Sequence, residues 1–268
     1  MRPKKSIMKE AKTALITGSA SGIGLEMARI LAAKGYDLYL ADIQRKGLEK
    51  LKEEVEKTYQ VMVHIHEADL ALPDAAQRIY TDCQEKGLVI EVLVNNAGFF
   101  FFSEIAQADS GKASRMIQLH IHTLSLLTIL FSRQMKERKR GFILMTTSIS
   151  AYKVFPGIGL YAASKSYIKY FCRALRYEMR YYGVHVTALC PGATATKLYD
   201  PNVINVERGK KWGIMMDAKK VANAGIRGMF SNRAIVIPGF VTKMMTLFSI
   251  LTPNWFIYWA RVRWKKYF

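Results

Sequence analysis

Tyr161 and Lys165 stand four residues apart in "YAASK". On a helix that spacing puts both side chains on one face, a turn apart. An ammonium beside a phenol stabilises the phenolate. The tyrosine pKa then falls from ~10 toward neutrality, and the pair can move a proton at pH 7. Tyr and Lys also meet at this spacing by coincidence on many helices, so the pair needs a context. A second candidate is the turn "TGSASGIG", Thr17–Gly24, where Gly18, Gly22 and Gly24 follow an apolar run and open a helical pattern. Glycines permit tight turning and close backbone approach. Free N–H groups at a helix start, with the positive end of its dipole, suit a pyrophosphate. A third candidate is Asp42, which ends the next apolar run. A carboxylate there accepts hydrogen bonds from an adenosine ribose and repels a 2′-phosphate. That favours NAD, while Arg45 and Lys46 close by leave NADP open.

Elements must hold these residues together. Short, continuously apolar runs read as strands: 13–17, 38–41, 61–65, 89–94, 142–146, 184–189 and 234–237. Helical patterns separate most of them: 23–34, 45–57, 75–86, 111–139 and 162–182. Strands alternating with helices mean right-handed crossovers and a parallel sheet covered on both faces. The expectation is one doubly wound α/β domain over 13–240. A basic segment, 1–12, precedes it, and an apolar and basic extension, 241–268, follows.

Composition narrows the classes. Half of the 268 residues are apolar, enough for a substantial core. Cys83, Cys172 and Cys190 are odd in number and widely spaced, which argues against a disulfide frame and for a reducing compartment. The net charge of +19 favours acidic partners such as anionic lipid or phosphorylated ligands. Its basic residues are spread along the chain without a nucleic-acid motif, so nucleic acid is not the expected partner. His64 and His66 lack a third ligand nearby, and His185 lies in an apolar run, so no metal site is expected. The first residues lack the apolar core of a secretory signal, and a cytoplasmic location is expected.

The spacing of "TGSASGIG" resembles the short-chain dehydrogenase/reductase family. Four more motifs follow in that family's order: "ADL" at 68–70, "NNAG" at 95–98, "YAASK" at 161–165 and "PGATAT" at 191–196. The resemblance spans about Thr13 to Gly239. It implies a Rossmann-like fold, a nicotinamide dinucleotide, and a homodimer or homotetramer. It further implies that Gly18, Ser21, Gly22, Ile23, Gly24, Asp42, Asp69, Leu70, Asn95, Ala97, Tyr161, Lys165, Pro191, Gly192, Thr194 and Thr196 hold the cofactor. Tyr161 then takes the proton of an alcohol or gives one to a ketone. Ser148, thirteen residues before Tyr161, matches the family's substrate-holding serine; Thr147 and Ser150 read as capping or loop residues. The family's relay asparagine is replaced by His120 in "LHIHTLSLLT". An imidazole can shuttle protons, or it can be a buried, hydrogen-bonded filler; both readings stand. Segments such as "SYIKYFCRALRYEM" are similar to the bacterial DltE-like branch, whose substrates are poorly assigned.

The substrate side is greasy. Phe99–Phe102 follow "NNAG" and either line an apolar pocket, pack under the next helix or meet another subunit. The loop 198–216 mixes Tyr199, Trp212, Met215 and Met216 with Arg208, Lys210 and Lys211. That suits a lid over a lipophilic ligand with an acidic head, or a plain surface lid. In the extension, apolar runs broken at Pro253 are too short to span a bilayer, which takes ~20 residues. Arg261, Arg263, Lys265 and Lys266 interleave with Trp264 and Tyr267. Three roles are open: contact with an anionic membrane surface, docking on a second subunit, or folding over the active site.

Overall fold

Seven strands pair side by side in a computed structural model that describes residues 12–196 and 215–263. They are β1 (Thr13–Thr17), β2 (Asp37–Asp42), β3 (Val63–Glu67), β4 (Ile90–Asn95), β5 (Gly141–Thr146), β6 (Val184–Leu189) and β7 (Ile235–Val236). The order across the sheet is β3-β2-β1-β4-β5-β6-β7, and every pairing is parallel. Chain direction reverses its walk through the sheet between β1 and β4, and such switch points leave a crevice beyond the strand ends. The helices are α1 (Gly22–Ala33), α2 (Arg45–Tyr59), α3 (Ala75–Glu85), α4 (Ser110–Ile117), α5 (Leu124–Glu137), α6 (Gly159–Met179), α7 (Ala218–Phe230), α8 (Phe240–Leu251) and α9 (Asn254–Arg263). Buried side chains form one core on each face of the sheet. This is the Rossmann-like, doubly wound single domain that the alternating pattern demands.

Two departures bear on the site. The expected helix 111–139 is interrupted by a π turn, Gln118–Thr123, between α4 and α5. The wider turn carries both His120 and Thr123 inward, where they are fully buried. Helix α7 was not among the expected elements because Gly225 and Gly228 dilute its apolar stripe. Those glycines serve packing: a Cβ at Gly225 would sit 2.9 Å from Leu189 Cδ2 and 3.1 Å from Met27 Cε. Asp217 caps α7, accepting from the N–H of Lys219 at 2.8 Å and of Lys220 at 3.3 Å.

The extension forms α8 and α9, which fold back on the domain. Lys153 Nζ donates to Asn254 Oδ1 at 2.7 Å, and Arg261 pairs with Glu104. Among the described residues no helix is long and apolar enough to cross a membrane. The basic segment before Lys12, residues 198–214 of the expected lid, and Trp264, Lys265, Lys266 and Tyr267 lie outside the described residues. Of the lid, Met215 is buried and Met216 pairs with Thr194 in a short parallel ladder.

Candidate active site

The strand ends β1, β2, β4, β5 and β6 open onto one cleft of about 990 Å³. Its first wall is the glycine turn. Gly18 is left-handed at φ 66°, and a Cβ there would lie 2.8 Å from the backbone of Ala97. A Cβ at Gly24 would collide with the Gly18 carbonyl. Both positions therefore need glycine for the β1–α1 turn to press against the β4 turn. Thr17 fixes this contact: its Oγ1 accepts from the N–H of Asn96 at 3.0 Å and of Ala97 at 3.1 Å. No described side chain caps α1, and its first turn carries no acidic residue. Its first residues, Gly22 and Ile23, line the cleft, where uncapped helix N–H groups could take an anion.

Asp42 is buried at the end of β2 and braced on both oxygens. The N–H of Ala20 donates to Oδ2 at 2.9 Å, and that of Gln44 donates to Oδ1 at 2.9 Å. Arg45 is turned to other acids, with Nε 2.8 Å from Glu49 and Nη1 3.6 Å from Glu67. Farther along this wall, Asp69 meets Arg115 at 2.9 Å. Burial works against the Asp69 charge, but the Ala71 N–H and Arg115 outweigh it and hold the carboxyl below its ordinary range.

The opposite wall carries Tyr161, Lys165 and Ser148. Tyr161 lies in the first turn of α6, and the Lys165 ammonium sits 5.5 Å from its ring centroid. Lys165 is only 4% exposed and donates to the Thr146 carbonyl at 3.2 Å. Burial pushes its pKa down to about 8. Ser148 begins a short turn and accepts from the Ser150 N–H at 3.1 Å. That bond uses an acceptor site, so the Ser148 hydroxyl proton is left to donate. Thr147 instead donates to the Lys165 carbonyl at 2.7 Å, tying β5 to α6.

His120 lies behind this wall, fully buried. The Phe99 N–H donates to its Nε2 at 3.2 Å, so Nε2 is the acceptor nitrogen. Nδ1 then carries the proton and donates to Ser164 Oγ at 2.9 Å, and Ser164 donates to the Tyr161 carbonyl at 2.8 Å. Burial first, and the nearby Lys165 charge second, hold the imidazole pKa well below its ordinary value. The ring is thus neutral, with both nitrogens engaged.

Most residues singled out in the sequence line the cleft: Gly18, Ser21, Gly22, Ile23, Asp42, Asp69, Leu70, Ala97, Ser148, Tyr161, Lys165, Pro191, Gly192, Thr194 and Thr196. Gly24, Asn95 and His120 do not. The Asn95 amide points into the helix layer and donates to Thr128 at 2.8 Å. Its neighbour Asn96 faces the cleft and donates to the carbonyls of Thr17 and Gly18. Alternation along an extended segment separates the two, but nothing local says which one faces in. Lys169, one turn beyond Lys165, is not among the residues that line the cleft. It is buried, donates to the Ala151 carbonyl at 2.8 Å and lies 3.9 Å over the Tyr152 ring. Phe99, Phe100 and Phe102 line the cleft, with Phe100 edge-on to Tyr161 at 5.1 Å. From the extension, Met245, Phe248, Thr252, Phe256 and Arg261 complete its mouth.

Comparison with known proteins identifies relatives of this chain and of its fold. A family model described as short chain dehydrogenase matches residues 12–205. The mouse protein "17-beta-hydroxysteroid dehydrogenase type 3" is 32% identical over 200 residues, covering 73% of this chain and 64% of that protein. The human "Inactive hydroxysteroid dehydrogenase-like protein 1" is 30% identical, covering 73% of this chain and 60% of its own length. The chain thus spans less than two thirds of these relatives. A structure titled "Short-chain dehydrogenase from Sphingobium yanoikuyae in complex with NADPH" superposes with a TM-score of 0.79 at 25% identity, covering 88% of this chain and 92% of that one.

Proposed function

Because the chain belongs to the short-chain dehydrogenase/reductase family, we propose that it is an NAD(H)-dependent oxidoreductase interconverting a secondary alcohol and a ketone on a lipophilic substrate. The observation that carries this reading is the convergence of Ser148, Tyr161 and Lys165 on one wall of a cleft that has Asp42 on the other. The cradle fits a dinucleotide: Gly18 and Gly24 keep it clear of side chains, and the start of α1 offers N–H donors to a pyrophosphate. Such a cofactor, when bound, accepts hydride from a carbinol carbon or returns it to a carbonyl.

The chain's own residues do the rest. Ser148 donates a hydrogen bond to the substrate oxygen, keeping its own proton, and holds the carbon in place. In oxidation Tyr161 takes the substrate's hydroxyl proton, and in reduction it gives that proton back. The Lys165 ammonium stabilises the phenolate form. His120 is a positioning residue: it holds the Phe99 backbone and, through Ser164, the first turn of α6 that carries Tyr161. Its engaged nitrogens argue against a relay through the imidazole.

Asp42 supports NAD over NADP. Its braced carboxylate would face a 2′-phosphate, and Arg45 is already committed to Glu49 and Glu67. Steroids, bile acids and acyl-chain ketones all suit a cleft walled by Phe99, Phe100, Phe102, Phe248 and Phe256. The hydroxysteroid name of the mouse relative supports that class. The homodimer or homotetramer usual in the family is part of this reading. A second reading, a dinucleotide-binding sensor with little turnover, draws on His120 and on the name of the human relative.

The test follows dinucleotide absorbance with NAD and NADP against sterols, bile acids, aliphatic alcohols and ketoacyl thioesters. Turnover with NAD, lowered ~10²- to 10⁴-fold in Tyr161→Phe while NAD still binds, is expected. NAD binding without turnover on any substrate would favour the sensor.

A further inference from the structure

The helices that close the cleft also present an apolar face the reaction does not use. Phe240, Phe248 and Leu251 on α8, with Trp255 and Tyr258 on α9, are 69–77% exposed. Trp259 and Val262 continue the surface, and both are more than half exposed. Exposed apolar residues scattered singly are ordinary, but Phe240, Met244, Phe248 and Leu251 repeat at helical spacing along α8, as do Trp255, Tyr258, Trp259 and Val262 along α9, and such stripes mark a binding surface. Met245, Phe248 and Phe256 join this face to the cleft: all three line the mouth and also reach solvent.

Charge indicates the occupant. No Asp or Glu follows Asp217, whereas nine Lys or Arg do, among them Lys243 on α8 and Arg263 on α9, both exposed. A surface that joins exposed Trp and Tyr to exposed Lys243 and Arg263 complements an anionic bilayer, whose interface takes rings and whose headgroups take cations. The two helices have 12 and 10 residues. Both fall short of the ~20 needed to span, so they would lie along the surface rather than cross it.

We propose that the outer face of α8 and α9 docks on an anionic lipid bilayer and that the cleft mouth, held against the lipid, takes its substrate from the membrane phase. Docking stands on the exposed face and its charge. Delivery rests on the lipophilic substrate proposed above. The apolar walls then continue from lipid into the cleft through Phe248 and Phe256, so a sterol or acyl chain moves to Ser148 and Tyr161 without crossing bulk water. Arg261, paired with Glu104 at this mouth, holds α9 over the loop that follows β4.

The full chain is sedimented with vesicles of phosphatidylcholine alone and of phosphatidylcholine mixed with phosphatidylglycerol. The expected result is binding to the mixed vesicles at least tenfold tighter than to the neutral ones, weakened by high salt. Leu251→Glu and Trp259→Ser, neither of which lines the cleft, are expected to lower that binding at least tenfold. Both should keep wild-type Tm and wild-type turnover of a water-soluble ketone. With a vesicle-partitioned sterol, wild-type kcat/KM is expected to rise several-fold on adding anionic vesicles, and the Leu251→Glu value to stay flat. Equal affinity for both vesicle types, or none for either, overturns docking. So does a wild-type dimer that Leu251→Glu splits, because a second copy then covers the face. Vesicle binding without any turnover leaves docking intact and overturns the enzymatic reading on which delivery rests.

Discussion

Replacing Lys165 with methionine is expected to make the protein more stable and nearly inactive. Lys165 is buried, and burial lowers its pKa from the ordinary 10.5 to about 8. Keeping the ammonium in the folded protein at pH 7 therefore costs about 3 kcal/mol, at ~1.36 kcal/mol per tenfold change in proton affinity. Methionine fills a similar volume without charge but gives up the hydrogen bond to the Thr146 carbonyl, worth about 1 kcal/mol. The net gain is about 2 kcal/mol, a rise of roughly 5 °C in Tm for a chain of this size. The sign also sets a pH dependence. Between pH 8 and 10.5 the unfolded chain holds a proton that native Lys165 has released, so wild-type stability rises with pH there. By pH 9.5 the cost of the buried charge has dropped to about 1.4 kcal/mol, and the variant's advantage shrinks nearly to zero. Urea denaturation of both proteins at pH 7 and 9.5, beside a turnover assay, measures all of this. A variant less stable at pH 7, or one whose advantage is the same at both pH values, would refute the claim that a desolvated charge is kept here for catalysis.

Further expectations follow from the same wall and its opposite. Asp42→Ala removes the acceptor of two backbone N–H bonds and the carboxylate proposed to meet the ribose; kcat/KM with NAD should fall about tenfold or more while the value with NADP holds or rises. An unchanged NAD-to-NADP ratio would remove Asp42 as the discriminator. His120→Asn cannot reach both the Phe99 N–H and Ser164, so it should lose about 1–3 kcal/mol of stability. Because native His120 stays neutral while the unfolded chain protonates it below its ordinary pKa, wild-type stability should fall as pH drops below 6.5, and the variant should fall less steeply. The pH profile of kcat should show no inflection that disappears with His120; such an inflection would restore the relay.

Much of the fold was legible because its signals are local. The apolar runs became β1 to β6 with shifts of only a residue or two, since strands buried on both faces must be apolar throughout. The pairing of Tyr161 with Lys165 was legible for the same reason, as a four-residue spacing on one helix. The interruption at Gln118–Thr123 was not, because an extra residue in a turn changes no composition.

Residue type and near-neighbour spacing by themselves determined the strand–helix alternation, the glycine turn, the acid at the end of β2 and the Tyr–Lys stripe on α6. Only the tertiary structure decided that Asn96 rather than Asn95 faces the cleft, that His120 is locked between Phe99 and Ser164, that Lys165 is desolvated, and that the extension folds across the mouth. Those outcomes depend on partners 19 to 101 positions away in the chain, and a short-range pattern carries no record of which distant segment will arrive to bury a charge or satisfy a nitrogen.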